Sequence, residues 1–200
     1  MEYLEIAGRV RACITGRIAD SDENLARLCR YAVSAGNGDY LEIGTLFGGS
    51  AIAVALAKKE AGLTGKVYCI DPLDGYYIGA INDRGRDISK LIDISGYTPS
   101  LEILESNADK LGVKLEIIQQ KSHPFPKQAK RNYVMAYIDG DHWNDAPLND
   151  WLNVRRIVTK YIVFDNVDRQ HPSVSLAVIQ AMRSWKLVEL ENGQAVLENV

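Results

Sequence analysis

Residues 133–142 read YVMAYIDGDH, an apolar run that ends abruptly in acid. The run has the length and composition of a buried strand, and Asp139 follows it at once. The same change recurs downstream, where Tyr161–Phe164 is followed by Asp165 and Asn166. We therefore predict two neighbouring parallel strands whose carboxyl ends, with these polar residues, lie at one edge of a sheet.

Helix and strand patterns alternate through the rest of the chain. Apolar runs predict further strands at 40–43, 67–70 and 115–118, and apolar residues at helical spacing predict helices at 4–18, 21–35, 50–61, 98–111, 146–156 and 172–182. Near the end, Asn192-Gly193 separates two apolar runs, which is typical of a β-hairpin. The chain is thus predicted to be an α/β protein with a doubly wound, mostly parallel seven-stranded sheet that ends in a C-terminal antiparallel hairpin.

Composition narrows the classes of partner. The chain has 200 residues and a net charge of −3 without a long basic block, so we expect no nucleic acid partner. No apolar stretch is long enough to span a bilayer, and the N terminus lacks a signal-peptide layout, so we expect no membrane association. Cys13, Cys29 and Cys69 show no metal-type spacing and are interpreted as reduced thiols of a cytoplasmic protein.

The polar residues at the two strand ends predict a metal site. Asp139, Asp165 and Asn166 supply oxygen donors, which hard divalent cations such as Mg²⁺ prefer. His142 lies in the same cluster and could act as a base. The alternative is that the acids cap helices or face water, and that His142 is a surface or helix-start residue.

A glycine-rich turn follows the first predicted strand and carries Glu42, Gly44, Gly48 and Ser50. Glycines let a ligand approach the backbone, and a helix N terminus presents free amides. The spacing is not that of the dinucleotide-binding fingerprint, which disfavours NAD. Asp71 ends the second strand, where an acid can accept hydrogen bonds from the two hydroxyls of a ribose. A turn without ligand and an exposed loop acid are the alternatives.

In this order, the segments 42–50, 71–77, 138–142 and 164–166 resemble class I S-adenosylmethionine-dependent methyltransferases. The closer resemblance is to small metal-dependent O-methyltransferases of the macrocin type, with similarity also to the catechol type. It implies a Rossmann-like methyltransferase fold and an enzyme that uses S-adenosylmethionine and a divalent metal, expected to be Mg²⁺. Departures are Gln120-Lys121-Ser122, where the family often has Gly-Asp-Ser, and the absence of Pro-Gly-Gly before the fifth strand.

The resemblance also implies roles for individual residues. Glu42, Gly44, Gly48 and Ser50 would surround the methionine part of the cofactor, Asp71 would hold the ribose and Ser122 would lie by the adenine. Asp139 would face the cofactor and, with Asp165 and Asn166, hold the metal. His142 occupies the position of the proposed base.

The resulting expectation is a single methyltransferase domain over 1–200. Residues 1–37 form N-terminal helices, 38–200 form the cofactor-binding core, and 72–97 form a substrate or lid segment, or else a solvated loop. The acceptor is expected to be a hydroxyl of a sugar or polyhydroxylated small molecule, with a catechol-like phenol as the alternative. A methyltransferase-like domain without catalysis and an NAD-type oxidoreductase are alternatives from other classes. The amphipathic first helix could support a homo-oligomer.

Overall fold

The computed structural model describes residues 2–73 and 96–200, so the segment expected at 72–97 lies mostly outside the described residues. The described helices are α1 (Tyr3–Cys13), α2 (Asp22–Ala35), α3 (Gly49–Glu60), α4 (Leu101–Lys110), α5 (Ala146–Val154) and α6 (Pro172–Ala181), with a 3₁₀ turn at Lys127–Ala129. The strands are β1 (Tyr40–Ile43), β2 (Val67–Ile70), β3 (Glu116–Ile118), β4 (Tyr133–Ile138), β5 (Val158–Phe164), β6 (Lys186–Glu191) and β7 (Gln194–Glu198).

These strands form one sheet of seven in the order β3-β2-β1-β4-β5-β7-β6. The first five strands in that order pair in parallel, whereas β7 is antiparallel to both β5 and β6. The turn between β6 and β7 contains Asn192 and Gly193, both with positive φ, as the Asn-Gly pair predicted. The structure therefore confirms the predicted doubly wound sheet and its terminal hairpin.

The register of the central strands brings their carboxyl ends level. Ile43 of β1 pairs with Ile138 of β4, and Ile138 pairs in turn with Phe164 of β5. The residues that follow, among them Asp139 and Asp165, consequently start from adjacent positions at the same edge. The predicted convergence of the two acidic strand ends is thus a feature of the fold.

Side chains alternate between two buried layers along each strand, as a sheet covered on both faces requires. Tyr40 and Tyr137 point into a core shared with α1, α2 and α3, while Leu41 and Ile138 point into a second core shared with α5 and α6. Trp151 of α5 is fully buried in the second core. The two helical layers fix the sheet between them and leave its carboxyl edge available for a site.

Two predicted helix boundaries were wrong, the end of the first helix and the start of the fourth. The first helix stops at Cys13, well short of residue 18. The chain turns at Gly16, which has φ of 100° and no room for a Cβ, because one would lie 2.3 Å from the Phe47 ring. The helix predicted from residue 98 begins later, with Ser100 as its N-cap accepting a hydrogen bond from the Ile103 amide. None of the helices in the described ranges is long and apolar enough to cross a bilayer.

Candidate active site at the carboxyl edge of the sheet

The turn after β1 lies directly against the start of the segment after β4. Gly44 has φ of 84°, and a Cβ at this position would come 2.1 Å from the carbonyl oxygen of Asp139. Only glycine fits this close backbone approach. Gly48 has a left-handed backbone conformation and precedes α3 without a side-chain cap. The first amides of α3 are therefore free to donate hydrogen bonds to another acceptor. Both predicted glycines are therefore required by the backbone of the turn.

Glu42 is fully buried at the end of β1 and is held by two hydroxyl groups. Tyr40 Oη donates to Oε2 at 3.0 Å, and Ser50 Oγ donates to Oε1 at 2.9 Å. Burial raises the pKa of Glu42 to about 7, although both hydrogen bonds oppose the shift. The structure thus joins Glu42 and Ser50, which were predicted to share one part of the site, and fixes their orientation.

Asp71 braces the glycine-rich turn. One carboxylate oxygen accepts hydrogen bonds from the Thr45 and Leu46 amides at 2.8 and 2.9 Å, and the other accepts from the Leu73 amide at 2.9 Å. The side chain is buried, so it is not the exposed loop acid that was one alternative. This bracing role was not foreseen, and the predicted contact with a ribose stays a prediction.

Asp139 and Asp165 lie together at the ends of β4 and β5. The Asp165 amide donates to the Ile138 carbonyl at 3.1 Å, which extends the pairing of the two strands. Burial and then repulsion from Asp165 raise the pKa of Asp139 well above its usual range. Burial, with the nearby Asp20 adding to the shift, raises the pKa of Asp165 to about 7. Asn166 follows with φ of 57°, a conformation that asparagine tolerates.

The carboxylate oxygens at the strand ends are ligands of the kind that a hard cation prefers. Asp139 and Asp165 are oxygen donors that repel each other, and no Lys or Arg in the described ranges forms an ion pair with either of them. Within residues 2–73 and 96–200, however, no three His, Cys, Asp or Glu side chains approach closely enough to hold a metal ion. The structure therefore shows two buried acids that repel each other at the strand ends.

His142 joins this cluster. Its Nε2 lies 3.1 Å from Asp139 Oδ1, and burial lowers the pKa of its imidazole. The His142 ring meets the ring of His171 edge-on at 5.2 Å, and His171 also lies 5.4 Å from the indole of Trp143. Asp168 contacts His171 Nδ1 at 3.0 Å and fixes that ring. His142 is thus held between an acid and an aromatic wall.

Asp20 was not among the site residues predicted from the sequence. It lies between α1 and α2 and is buried beneath the strand-end acids, where Tyr137 Oη donates to its carboxylate at 3.1 Å and Gln194 Nε2 at 3.3 Å. Burial, then the charge of Asp139, raises its pKa to about 8. Because its partners are more than a hundred residues away in the chain, no local pattern marks Asp20.

A cavity of about 490 Å³ opens beside Asp165, between the start of α2, the end of β5 and the β6–β7 turn. Its lining is mostly polar and comprises Ala19, Asp20, Ser21, Glu23, Asn24, Asp165, Asn166, Asp168, Asn192 and Gly193. A second hollow of about 660 Å³ is lined by residues 101–110 of one helix alone. It contains none of the predicted site residues and is not part of the candidate site.

Comparison with known proteins identifies the class. A family model described as a methyltransferase domain matches residues 41–167, well over half of the chain. The chain therefore belongs to this methyltransferase family, in agreement with the predicted class I S-adenosylmethionine-dependent methyltransferase. A search of curated proteins found no match.

Solved structures share the fold at low sequence identity. The O-methyltransferase NovP is 15% identical, with a TM-score of 0.72 over 99% of this chain and 96% of that chain. An O-methyltransferase from Bacillus cereus in complex with SAH is 17% identical, with a TM-score of 0.62 over 100% and 91%. CalS11, described as a TDP-rhamnose 3′-O-methyltransferase, is 13% identical, with a TM-score of 0.54 over 97% and 93%.

Proposed function

We propose that this protein is a divalent metal-dependent O-methyltransferase that transfers the methyl group of S-adenosylmethionine to a hydroxyl of a sugar or polyhydroxylated small molecule. One observation carries the proposal. The cluster of Asp139, Asp165 and His142 lies against the glycine-rich turn, with Gly44 in contact with the backbone of Asp139. A cofactor held at that turn would place its methyl group beside acids and an imidazole.

The first part of the proposal is the position of the cofactor. Glu42 is a buried acid without an ion-pair partner among the described residues, so it favours the positively charged methionine end of the cofactor. The free amides after Gly48 offer donors for its carboxylate, while the Ser50 hydroxyl donates to Glu42 and orients it. Asp71 would contact the ribose and Ser122 the adenine. When bound, the cofactor supplies a methyl group on a sulfonium, an activated leaving group.

The second part is the metal. Asp139, Asp165 and Asn166 would hold it, and an Mg²⁺ ion there would orient an acceptor hydroxyl and lower its pKa. Burial, and for Asp139 also repulsion from Asp165, raises the pKa values of the two acids, and no Lys or Arg in the described ranges forms an ion pair with either of them. A divalent cation would remove this repulsion, which supports a metal at this edge.

The third part is the base. His142 Nε2 faces Asp139, so the tautomer that donates a proton there leaves Nδ1 as the acceptor. Since burial lowers the pKa of His142, the imidazole is neutral near pH 7 and can take a proton. In the proposed step, Nδ1 takes the hydroxyl proton, the acceptor oxygen bonds to the methyl carbon, and the carbon–sulfur bond breaks to release S-adenosylhomocysteine.

The cavity beside Asp165 supports a hydroxylated acceptor. Its acids and amides can bind several hydroxyl groups, whereas an anionic acceptor would be repelled. A catechol-like phenol is the second candidate, because the rings of Trp143 and His171 next to His142 could flank a planar acceptor. We place the reaction in the cytoplasm, where free cysteines such as the exposed Cys13 stay reduced.

Calorimetric titration of the purified protein tests this function. S-adenosylmethionine is expected to bind, Mg²⁺ is expected to bind with a heat that disappears in Asp165→Asn, and NAD is expected not to bind. Binding of NAD in place of S-adenosylmethionine would contradict the proposal in favour of an oxidoreductase. Cofactor binding without any metal binding would instead indicate a metal-free methyltransferase.

A further inference from the structure

A buried arginine of α2 is bonded to the terminal hairpin and has no role in the site described so far. Arg27 is 7% exposed. It forms ion pairs with Glu189 and Glu191 of β6, each at 2.7 Å. Its Nη1 also donates to the side-chain oxygens of Asn24 at 2.8 Å and of Gln194 at 3.4 Å. The ion pairs join α2 to the hairpin, whereas the contact with Gln194 leads toward the strand-end acids.

Arg27 fixes the orientation of the Gln194 amide. A guanidinium is only a donor, so the end of the amide that faces Arg27 is the carbonyl oxygen, and a rotated amide would meet it donor against donor. The Nε2 end then points the other way, where it donates to Asp20 Oδ1 and to Tyr137 Oη, both at 3.3 Å. Because Gln194 is fully buried, bulk water does not offer its amide other partners.

The same amide lies beside Asp165. Phe164 pairs with Ala195 in the antiparallel β5–β7 ladder. The next position along the two strands places Gln194 opposite Asp165, and side chains directly opposite in an antiparallel pair are neighbours on one face of the sheet. Asp20 and Asp165 both line the cavity of the candidate site. Gln194 therefore borders both acids from the side of the hairpin.

We propose that Gln194, oriented by Arg27, is a positioning residue that holds the Asp165 carboxylate in the geometry that binds the divalent cation. Carboxylates that ligate a metal are themselves held by hydrogen bonds from surrounding groups. The amide supplies neutral N–H donors, which fix an acid without adding a positive charge that would compete with the metal. The proposal rests on the function proposed above. It extends the site to residues 27 and 194, which lie outside the segment matched by the methyltransferase family model.

The test uses two variants and a matched control for each. Gln194→Met keeps the length of the side chain and removes the amide, and Arg27→Met removes the group that orients it. Gln180→Met makes the first change at an exposed position of α6. Arg30→Met breaks an ion pair of α2 with Glu189 and touches no hydrogen bond of Gln194 in the described ranges. Circular dichroism melting identifies which variants fold.

Dissociation constants are measured by calorimetry for Mg²⁺ and S-adenosylhomocysteine, and for Mn²⁺ from the EPR signal of the free ion. In folded Gln194→Met and Arg27→Met, the constants for both metals are expected to rise by about 10- to 100-fold, the usual cost of removing a hydrogen bond to a ligating side chain. The constant for S-adenosylhomocysteine should stay at the wild-type value, and both controls should bind all three like the wild type. A merely structural loss would not weaken the metals alone.

Three results would overturn the proposal. The first is wild-type metal affinity in folded Gln194→Met. The second is an equal loss of metal and S-adenosylhomocysteine affinity, which would indicate a general loosening of the protein. The third is that neither variant folds, since the contacts then support the fold itself and not the geometry of the acid. Weak metal binding by Gln194→Met with wild-type binding by folded Arg27→Met would overturn the orienting role of Arg27.

Failure of the underlying function gives a different result. If the wild type binds S-adenosylhomocysteine but neither metal, the metal part of the proposed function is wrong and this inference falls with it. If the wild type binds metal and both folded variants bind it equally well, only the role of Gln194 is wrong.

Discussion

Asp165→Asn is expected to reduce kcat/KM for methyl transfer by about 10³-fold, because several kcal/mol of metal-dependent stabilisation of the reacting oxygen would be lost. The substitution keeps the size of the side chain and removes one of the two acids at the strand ends. Steady-state rates at saturating Mg²⁺ measure the effect. Asp109→Asn, at an exposed position on α4, is the matched control and should retain wild-type rates.

The same variant has an opposite effect on stability without metal. Burial raises the pKa of Asp165 from 3.8 to about 7, so the folded state holds a proton that the unfolded state has lost. Stability of the metal-free wild type therefore decreases as pH rises from about 4 toward 7, since the unfolded state binds fewer protons there. Asp165→Asn removes this contribution, and its Tm in EDTA at pH 7.5 should exceed that of the wild type. An Asp165→Asn protein with wild-type activity and a lower Tm than the wild type in EDTA would contradict the roles given to the strand-end acids.

His142→Ala is expected to lower kcat by about 10²- to 10⁴-fold, the usual contribution of a general base. KM for S-adenosylmethionine should change little, because His142 contacts Asp139 and not the turn expected to hold the cofactor. His123→Ala is the control, since His123 is exposed in the segment after β3.

The pH dependence separates a base from a structural histidine. Burial lowers the pKa of His142, so its neutral form persists below the pH at which an exposed histidine is protonated. Wild-type kcat should stay level near pH 7 and decrease at lower pH as the imidazole gains a proton. The variant should lose this decrease. Near-normal kcat in His142→Ala at every pH would remove His142 from the mechanism.

The strand ends were predictable because the relevant signals are local. Apolar runs followed by acid located Asp139 and Asp165, and parallel strands bring their carboxyl ends to a common edge whatever the rest of the sequence does. The glycines of the first turn were predictable for the same reason, since a glycine-rich run directly after a strand is itself a local signal. Asn-Gly was sufficient to predict the terminal hairpin.

Contacts between distant parts of the chain were not predictable. Asp20 enters the site through Tyr137 and Gln194, which lie more than a hundred residues away from it in the chain. The first helix ends at Cys13, and Gly16 then lies against Phe47, a contact that no spacing in residues 4–18 reveals. Such contacts depend on how layers pack and leave no periodic pattern in the sequence.

The central claim is that methyl transfer at this edge of the sheet requires a divalent cation held by Asp139, Asp165 and Asn166. The most direct test follows transfer of labelled methyl from S-adenosylmethionine to a panel of hydroxylated acceptors, first in excess EDTA and then with Mg²⁺ added beyond the chelator. The account predicts no transfer above background in EDTA and recovery of the full rate with Mg²⁺. Full activity in EDTA would contradict it.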